Sequence, residues 1–167
     1  PVAWQHRIVG QSILAGTPFE SMVGKNSVDP TSVEGAANLP YAVPNLLVDL
    51  VTTDAKVPVL WWRSVGSTHT AYSTEVFIDQ LAQAAGRDPV EFRRRLLRDH
   101  PRHLGVLNLV AEKAGWDRPL AEGRFRRVAE AQDEVRLWAA TPIAVATAAM
   151  PGTDARVEAV PLTTCIN

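Results

Sequence analysis

The sequence predicts an α+β fold, a few strands followed by three short helices, and three observations carry that expectation. Apolar, β-branched runs bounded by turn residues occupy about the first third of the chain. From about Thr70 the apolar residues recur at helical spacing instead. Each of the three helical stretches then carries its own start or stop signal.

The first strand is expected over Arg7 to Ile13, closed by Gly16-Thr17-Pro18. Ser27 to Pro44 mixes Pro30, Gly35, Pro40 and Pro44 with Asn26, Asp29 and Asn38, which predicts an ordered loop with a short helix near Ser32 to Ala37. Leu46 to Thr52 and Val57 to Trp62 are two β-prone runs separated by Thr53-Asp54-Ala55-Lys56, compatible with adjacent strands. A first helix follows, with Phe77, Leu81, Ala84 and Ala85 as its stripe, Ile78 and Ala82 beside them, and Gly86 as its stop. Asp88-Pro89-Val90-Glu91 reads as an N-cap, a proline at the first helical position and a capping-box acid, with Phe92, Leu96 and Leu97 as the buried stripe. His100-Pro101 ends that helix, and Leu104, Leu107, Val110, Ala111 and Ala114 form a third, closed by Gly115. Beyond Arg118-Pro119 no period of 2 or 3.6 is sustained, and the alanine-rich stretch 139–149 predicts nothing regular.

Size and charge narrow the function classes. At 167 residues the chain is one domain or part of a larger one. An apolar share of 46% excludes a disordered tail, and a net charge of -1 gives no global attraction to nucleic acid or anionic lipid. Cys165 is the only cysteine, so an iron–sulfur centre would need another chain. No apolar run approaches the roughly 20 residues of a transmembrane helix, and no secretory leader is visible. Either cytoplasm or periplasm is compatible with that. The opening at Pro1 reads as the middle of a longer protein.

Generic motifs fail. Gly24-Lys25 lacks the remaining glycine and hydroxyl of a phosphate-binding loop, and no Gly-x-Gly-x-x-Gly follows a strand. His100 and His103 have the spacing of a metal pair, but the proline between them marks a helix boundary, so surface or capping roles are favoured. Ser64, Ser67, His69 and Asp79 lack the nucleophile elbow of a serine hydrolase. Leu60 to Glu75 stands apart. Trp61-Trp62 lead from an apolar run to Arg63, then to Ser64, Gly66, Ser67 and Thr68, and then to a helix start. An arginine and open backbone N–H groups at a helix N-terminus form an anion-binding corner, and Gly66 permits close backbone approach. On physical grounds alone the plainer reading is favoured, with Arg63 paired to a carboxylate and the tryptophans as core.

The motifs taken together shift that balance. Arg63-Ser64-Val65-Gly66, then Thr74-Glu75-Val76-Phe77-Ile78-Asp79-Gln80-Leu81-Ala82, then Gly86-Arg87-Asp88-Pro89-Val90-Glu91-Phe92-Arg93, resemble in order the large subunit of the xanthine dehydrogenase/aldehyde oxidase family. Tyr41-Ala42-Val43-Pro44-Asn45 and the opening Gln5 to Ser12 resemble its branch of isoquinoline 1-oxidoreductase beta subunits. The likeness covers about residues 1 to 128 and implies part of a larger molybdopterin-binding domain of bacterial type. It implies oxidation of a C–H bond of an N-heterocycle or aldehyde with oxygen from water. Molybdopterin cytosine dinucleotide is the implied cofactor, and an iron–sulfur small subunit with [2Fe-2S] clusters the implied partner.

Carried over position by position, the resemblance places Arg63, Ser64 and Gly66 against the cofactor and Val65 and Trp62 at the substrate pocket. Ser64 and Val65 depart from the commoner glycine and aromatic of this turn, and Val65 in place of a ring implies a wider pocket. Asp79 and Asp88 are assigned to packing or capping. The glutamate base of the family has no counterpart here, since neither Glu122 nor Glu158 has its context, so the chain alone is expected to show no turnover. The likeness ends near Val128, and 129–167 reads as an irregular segment of truncated or altered reading frame. The alternative is a non-catalytic interaction or remnant domain of the same fold.

Overall fold

The computed structural model describes residues 1–25 and 27–120, and beyond them the backbone of strands at Arg124–Ala129 and Ala144–Ala149. The chain divides into two compact units: unit 1 comprises residues 1–39 and 43–74, and unit 2 comprises 40–42 and 75–167. Strands precede three helices, as the sequence predicts.

In unit 1, β1 (Trp4–Gly10) pairs in parallel with β2 (Leu46–Thr52), from Trp4 opposite Leu46 to Gly10 opposite Thr52. The first strand starts and stops three residues earlier than its sequence pattern suggested, because Ser12 ends it. The Ser12 hydroxyl donates to Asp29 at 2.5 Å and accepts the N–H groups of Leu14 and Ala15 at 3.0 Å each, so the backbone turns there instead of extending. Parallel strands need a long crossover, and residues 11–45 supply one without an α-helix. The short helix expected near Ser32 to Ala37 is a single 3-10 turn over Pro30–Ser32, capped by Asp29, which accepts from the Thr31 N–H at 2.8 Å. Ile8, Val33 and Ala36 form the small core of this unit, joined by Val28, Val48 and Leu50.

The run from Val57 to Trp62 forms no strand, contrary to its composition. The partner of β2 is β1, Pro58 has no N–H to donate, and the Gln11 side chain bonds the run's start, donating to Val57 O and accepting from Ala55 N–H, both at 3.0 Å. Trp62 and Leu60 are each 81% exposed.

Helix α1 spans Ser67–Ala84, and the unit boundary falls after Thr74. Its buried positions are Thr70, Thr74, Ile78 and Ala82, four residues apart, with Glu75 beside them. The expected stripe through Phe77, Ala84 and Ala85 is exposed instead. The face is turned because Glu75 is needed inside, as described below. Gly86, at φ +60°, closes the helix with N–H bonds from Gly86 to Gln83 O and from Arg87 to Ala82 O, a Schellman end.

In unit 2, α2 (Pro89–Leu96) starts as its sequence predicts. Asp88 Oδ1 accepts from Val90 and Glu91 N–H at 2.9 and 3.0 Å, and its Oδ2 accepts from Trp116 Nε1 at 2.8 Å. Helix α3 (Pro101–Lys113) takes Pro101 at its first position and ends at Gly115 with the same Schellman pattern. Val110 packs with Val106, Ala114 and Trp116 at its C-terminal end. Strands β3 (Arg124–Ala129) and β4 (Ala144–Ala149) pair antiparallel in a stretch whose sequence predicted nothing regular. The expectation for 130–143 and 150–167 lies outside the described residues.

Besides buried Ile78, Val90, Leu97, Leu107 and Val110, unit 2 buries a charged cluster. Arg93 has no exposed surface. Its Nε and Nη2 donate to Glu75 Oε2 at 3.0 and 2.8 Å, Nη1 to Asp79 Oδ1 at 2.6 Å, and Nη2 also to the Glu75 carbonyl at 3.1 Å. The Tyr41 hydroxyl reaches both Glu75 carboxylate oxygens at 3.0 and 3.1 Å. Burial alone would lower the pKa of the guanidinium, but Glu75, Tyr41 and Asp79 outweigh it and hold the pKa above its usual value. Arg93→Met leaves two carboxylates facing an apolar side chain and is expected to cost about 3–5 kcal/mol in urea unfolding followed by helical circular dichroism. Adding Glu75→Leu and Asp79→Leu should recover most of that loss; full stability of the single variant would show that the network contributes nothing.

Candidate functional site

The turn between the exposed run and α1 is conformationally unusual. Ser64 and Val65 both have positive φ, +63° and +38°, and neither is glycine. A β-branched residue there is a true outlier, and each such residue costs on the order of 1–3 kcal/mol unless its surroundings hold it. The turn is held by Val65 N–H to Trp62 O at 3.4 Å and Thr68 Oγ1 to Arg63 O at 2.9 Å. Trp61 is half-buried, edge-on to the exposed Phe19 with ring centroids 5.1 Å apart, whereas Trp62 is exposed.

Gly66 begins the helix in a tight place. Its N–H donates to Glu34 Oε2 at 3.1 Å, and an added Cβ would stand 2.0 Å from the Thr31 carbonyl oxygen and 2.9 Å from Glu34 Cβ. The close approach that only glycine allows is therefore to this chain's own crossover. Thr70 extends the tie, its hydroxyl lying 2.6 Å from Glu34 O and 3.0 Å from Gly66 O. Arg63 is exposed and makes no ion pair among the described residues.

Beside this turn, and wholly within unit 1, lies a cleft of about 300 Å³. Trp62, Val65 and Gly66 line it, with Leu60 and Ile13 as further apolar wall and Gln11, Thr31, Ser32, Thr68 and His69 as polar wall. Arg63 and Ser64 are not among its lining residues, and no carboxylate is. The volume is at the lower end of small-molecule sites and suits one or two fused rings. His69 adds a hydrogen-bonding imidazole. It also acts on His6 of β1, whose pKa is lowered first by burial and then by the charge of His69. His6 Nδ1 is buried without a hydrogen-bond partner.

The other sequence candidates fall elsewhere. Asp79 accepts from Arg93 and Asp88 caps α2, in line with packing and capping roles. The His100 and His103 rings stack edge-to-face, centroids 5.8 Å apart, and no group of three or more potential metal ligands occurs among the described residues. Sequence reasoning missed Glu34 and Gln11, and weighed His69 only within a serine-hydrolase set that it set aside. Only His69 carried a signal, standing three residues past Gly66 on the same helix start.

No established family profile matches the chain. Individual relatives do. The chain is partly homologous to the large subunits of molybdenum hydroxylases, over a small portion of their length. It is 30% identical over 121 residues to the beta subunit of isoquinoline 1-oxidoreductase from Brevundimonas diminuta, covering 72% of this chain and 15% of that protein. It is 37% identical over 94 residues to a nicotinate dehydrogenase subunit of Pseudomonas putida, covering 53% of this chain and 8% of that protein. These homologues are subunits of multi-subunit, molybdenum-cofactor enzymes. Among the described residues no helix is long and apolar enough to cross a membrane.

Two outcomes test this geometry. Gly66→Ala must move the Thr31 carbonyl or the helix start and should cost about 1–3 kcal/mol in thermal unfolding; an unchanged midpoint would contradict the packing. His6 resists protonation when folded, so the unfolded chain takes the proton first as pH falls past its ordinary value of 6.5. Stability present above that pH should decline below it, and His6→Gln should flatten the decline in denaturant titrations between pH 7.5 and about 5.5.

Proposed function

We propose that the chain is part of a molybdenum hydroxylase large subunit that oxidises a C–H bond of an N-heterocycle or aldehyde with oxygen from water and passes electrons to a [2Fe-2S] partner subunit. On this reading residues 1–128 belong to the molybdopterin-binding domain, and 129–167 are a C-terminal segment of altered reading frame, although its strand β4 pairs with β3 across that boundary. The observation that carries the proposal is the exposed cation Arg63, without an ion pair among the described residues, next in sequence to a Trp62-walled cleft and in the stretch where the homology runs.

The donor set fits an anionic molybdopterin cytosine dinucleotide in part. Arg63 and Ser64 are free to hold its negatively charged oxygens from outside the cleft, the arginine through charge-assisted hydrogen bonds. Gly66 meets the group less directly, since its N–H is already given to Glu34. Its contribution is to set the turn. When bound, the group supplies the oxidising centre for transfer of a water-derived oxygen to carbon.

The chain's own residues bind and orient. Trp62 offers a flat face for stacking a heteroaromatic ring, and Val65 leaves room where a larger side chain would narrow the cleft. Thr68 and His69 offer polar contacts to a ring nitrogen or carbonyl. No acid lines the cleft to accept a proton, so the general base is assigned to polypeptide outside these residues and the chain alone should not turn over.

Metal and nucleotide analysis of the native parent complex tests the proposal. Molybdenum with a cytosine dinucleotide pterin is expected, and a full-length, metal-free complex would favour a non-catalytic remnant of the fold. Arg63→Ala removes a charge-assisted contact of about 1.5–3 kcal/mol and should lower molybdenum retention roughly tenfold or more on dilution. Equal retention would remove Arg63 from the cofactor site.

A further inference from the structure

Unit 1 is unfinished as a free surface. All the exposed large apolar side chains among the described residues belong to it, Phe77 alone excepted. Val57, Val59, Leu60 and Trp62 lie exposed along one run of β-prone backbone that pairs with no strand. The sheet beside it is a two-stranded parallel pair, a form that occurs almost only with both faces covered and neighbours on its edges. One face is covered by Val33 and Ala36. By the register, the other carries Gln5 with Leu47, the Arg7–Asp49 ion pair, and Val9 with Val51, and Val9 is 62% exposed.

We infer that the 57–62 run and the open face of the β1–β2 sheet form a docking surface for an extended, apolar strand from the remainder of a large-subunit polypeptide. The inference rests on the proposed membership in such a subunit. Three observations favour that occupant over any other. The relatives hold most of their length outside the matched stretch, since the match covers 15% and 8% of them. Val57 O already accepts from Gln11 and Trp62 O from Val65 N–H, but between them Val59 to Trp61 join no strand among the described residues and leave backbone that an added strand could pair with. Gln11, the residue after β1, ties the run's start to the edge of the same sheet, so both parts of the surface belong to unit 1. The Arg7–Asp49 pair leaves Asp49 Oδ1 buried and without a partner, a waiting acceptor on that face.

Hydrogen exchange by mass spectrometry on the full 167-residue chain tests this. The probe is the beta subunit of the Brevundimonas isoquinoline 1-oxidoreductase with the matched stretch deleted. The amides of Val57 and of Val59 to Trp62 should exchange freely in the chain alone and slow by about tenfold or more when the probe is added. Leu60→Glu and Val57→Glu, both at exposed positions, should keep the helical circular dichroism and lose that protection. Protection in the free chain overturns the inference: if it grows with concentration a second copy occupies the surface, and if it does not the chain's own residues do. Unchanged exchange with the probe, or undiminished protection in the glutamate variants, overturns it as well. A parent complex that contains molybdenum while 57–62 stays unprotected would fault the docking surface alone. Protection with a parent complex free of molybdenum would fault the function alone.

Discussion

The guanidinium of Arg93 is the constraint on which unit 2 depends. It is buried, and its charge is tolerable only because Glu75 and Asp79 stand one helical turn apart on α1 and present their carboxylates to the same point. That requirement sets the rotation of α1. A purely hydrophobic optimum would bury Phe77 and Leu81, yet Phe77 lies exposed and the buried line runs through Thr74, Ile78 and Ala82. It also sets the start of α2, because Arg93 donates to the carbonyl of Pro89 as well as to α1. Tyr41 completes the cluster through Glu75 and brings a piece of the crossover into this unit. Replacing the ions with apolar side chains of the same volume need not weaken such a core, so the network is better understood as fixing which faces meet than as adding stability.

Unit 1 is organised differently, by short side chains that bind backbone. Ser12, Asp29 and Thr70 bond main-chain groups of the crossover, and Gln11 and Glu34 reach from it to the main chain of Ala55 and Gly66. The crossover is therefore ordered without regular structure. Its most consequential tie is Glu34 to Gly66 with Thr31 pressed against the same glycine, which fixes where α1 begins and so where the Trp62 to Val65 turn must lie.

How much of this could be read from sequence depended on whether the signal was local. Asp88-Pro89 and the glycines at 86 and 115 act within a few residues, and the structure uses them as expected. The strand at Leu46 to Thr52 was legible, but its partner was not: β-branched composition cannot say which of two neighbouring runs a strand will join, and the ladder went to Trp4–Gly10 across more than thirty residues. Burial of an arginine was invisible, since nothing in a helix pattern separates Arg93 from Arg94 and Arg95, which follow it in the same turn and are not buried. At the turn, the ordered series of motifs pointed to Trp62, Arg63, Ser64, Val65 and Gly66; Trp62, Val65 and Gly66 line one cleft, and Arg63 and Ser64 do not. Glu34 and Gln11 were not legible, because the fold brings them in from separate segments, whereas His69 stands three residues past Gly66 on the same helix start.

The departures at Ser64 and Val65 acquire a physical meaning from their backbone. Glycine, the commoner residue at position 64 in the resembling turn, would meet φ +63° without strain. This chain puts serine there and then a β-branched residue at φ +38°, so the turn carries conformational strain that the bonds to Trp62 O and Arg63 O hold in place. Strain of that kind persists where surrounding contacts over-determine it. Here the contacts on one side are the helix start anchored by Glu34, and on the other side the chain runs back into exposed apolar residues. A turn clamped at one end and open at the other reaches a single geometry only when its open end is packed. The same polypeptide that would cover Leu60 and Val59 would thereby set the angle of Trp62 and the reach of Arg63. On the proposed docking, site geometry and burial of the apolar run are one event, and without that cover the chain should hold the parts of the site without holding them rigidly.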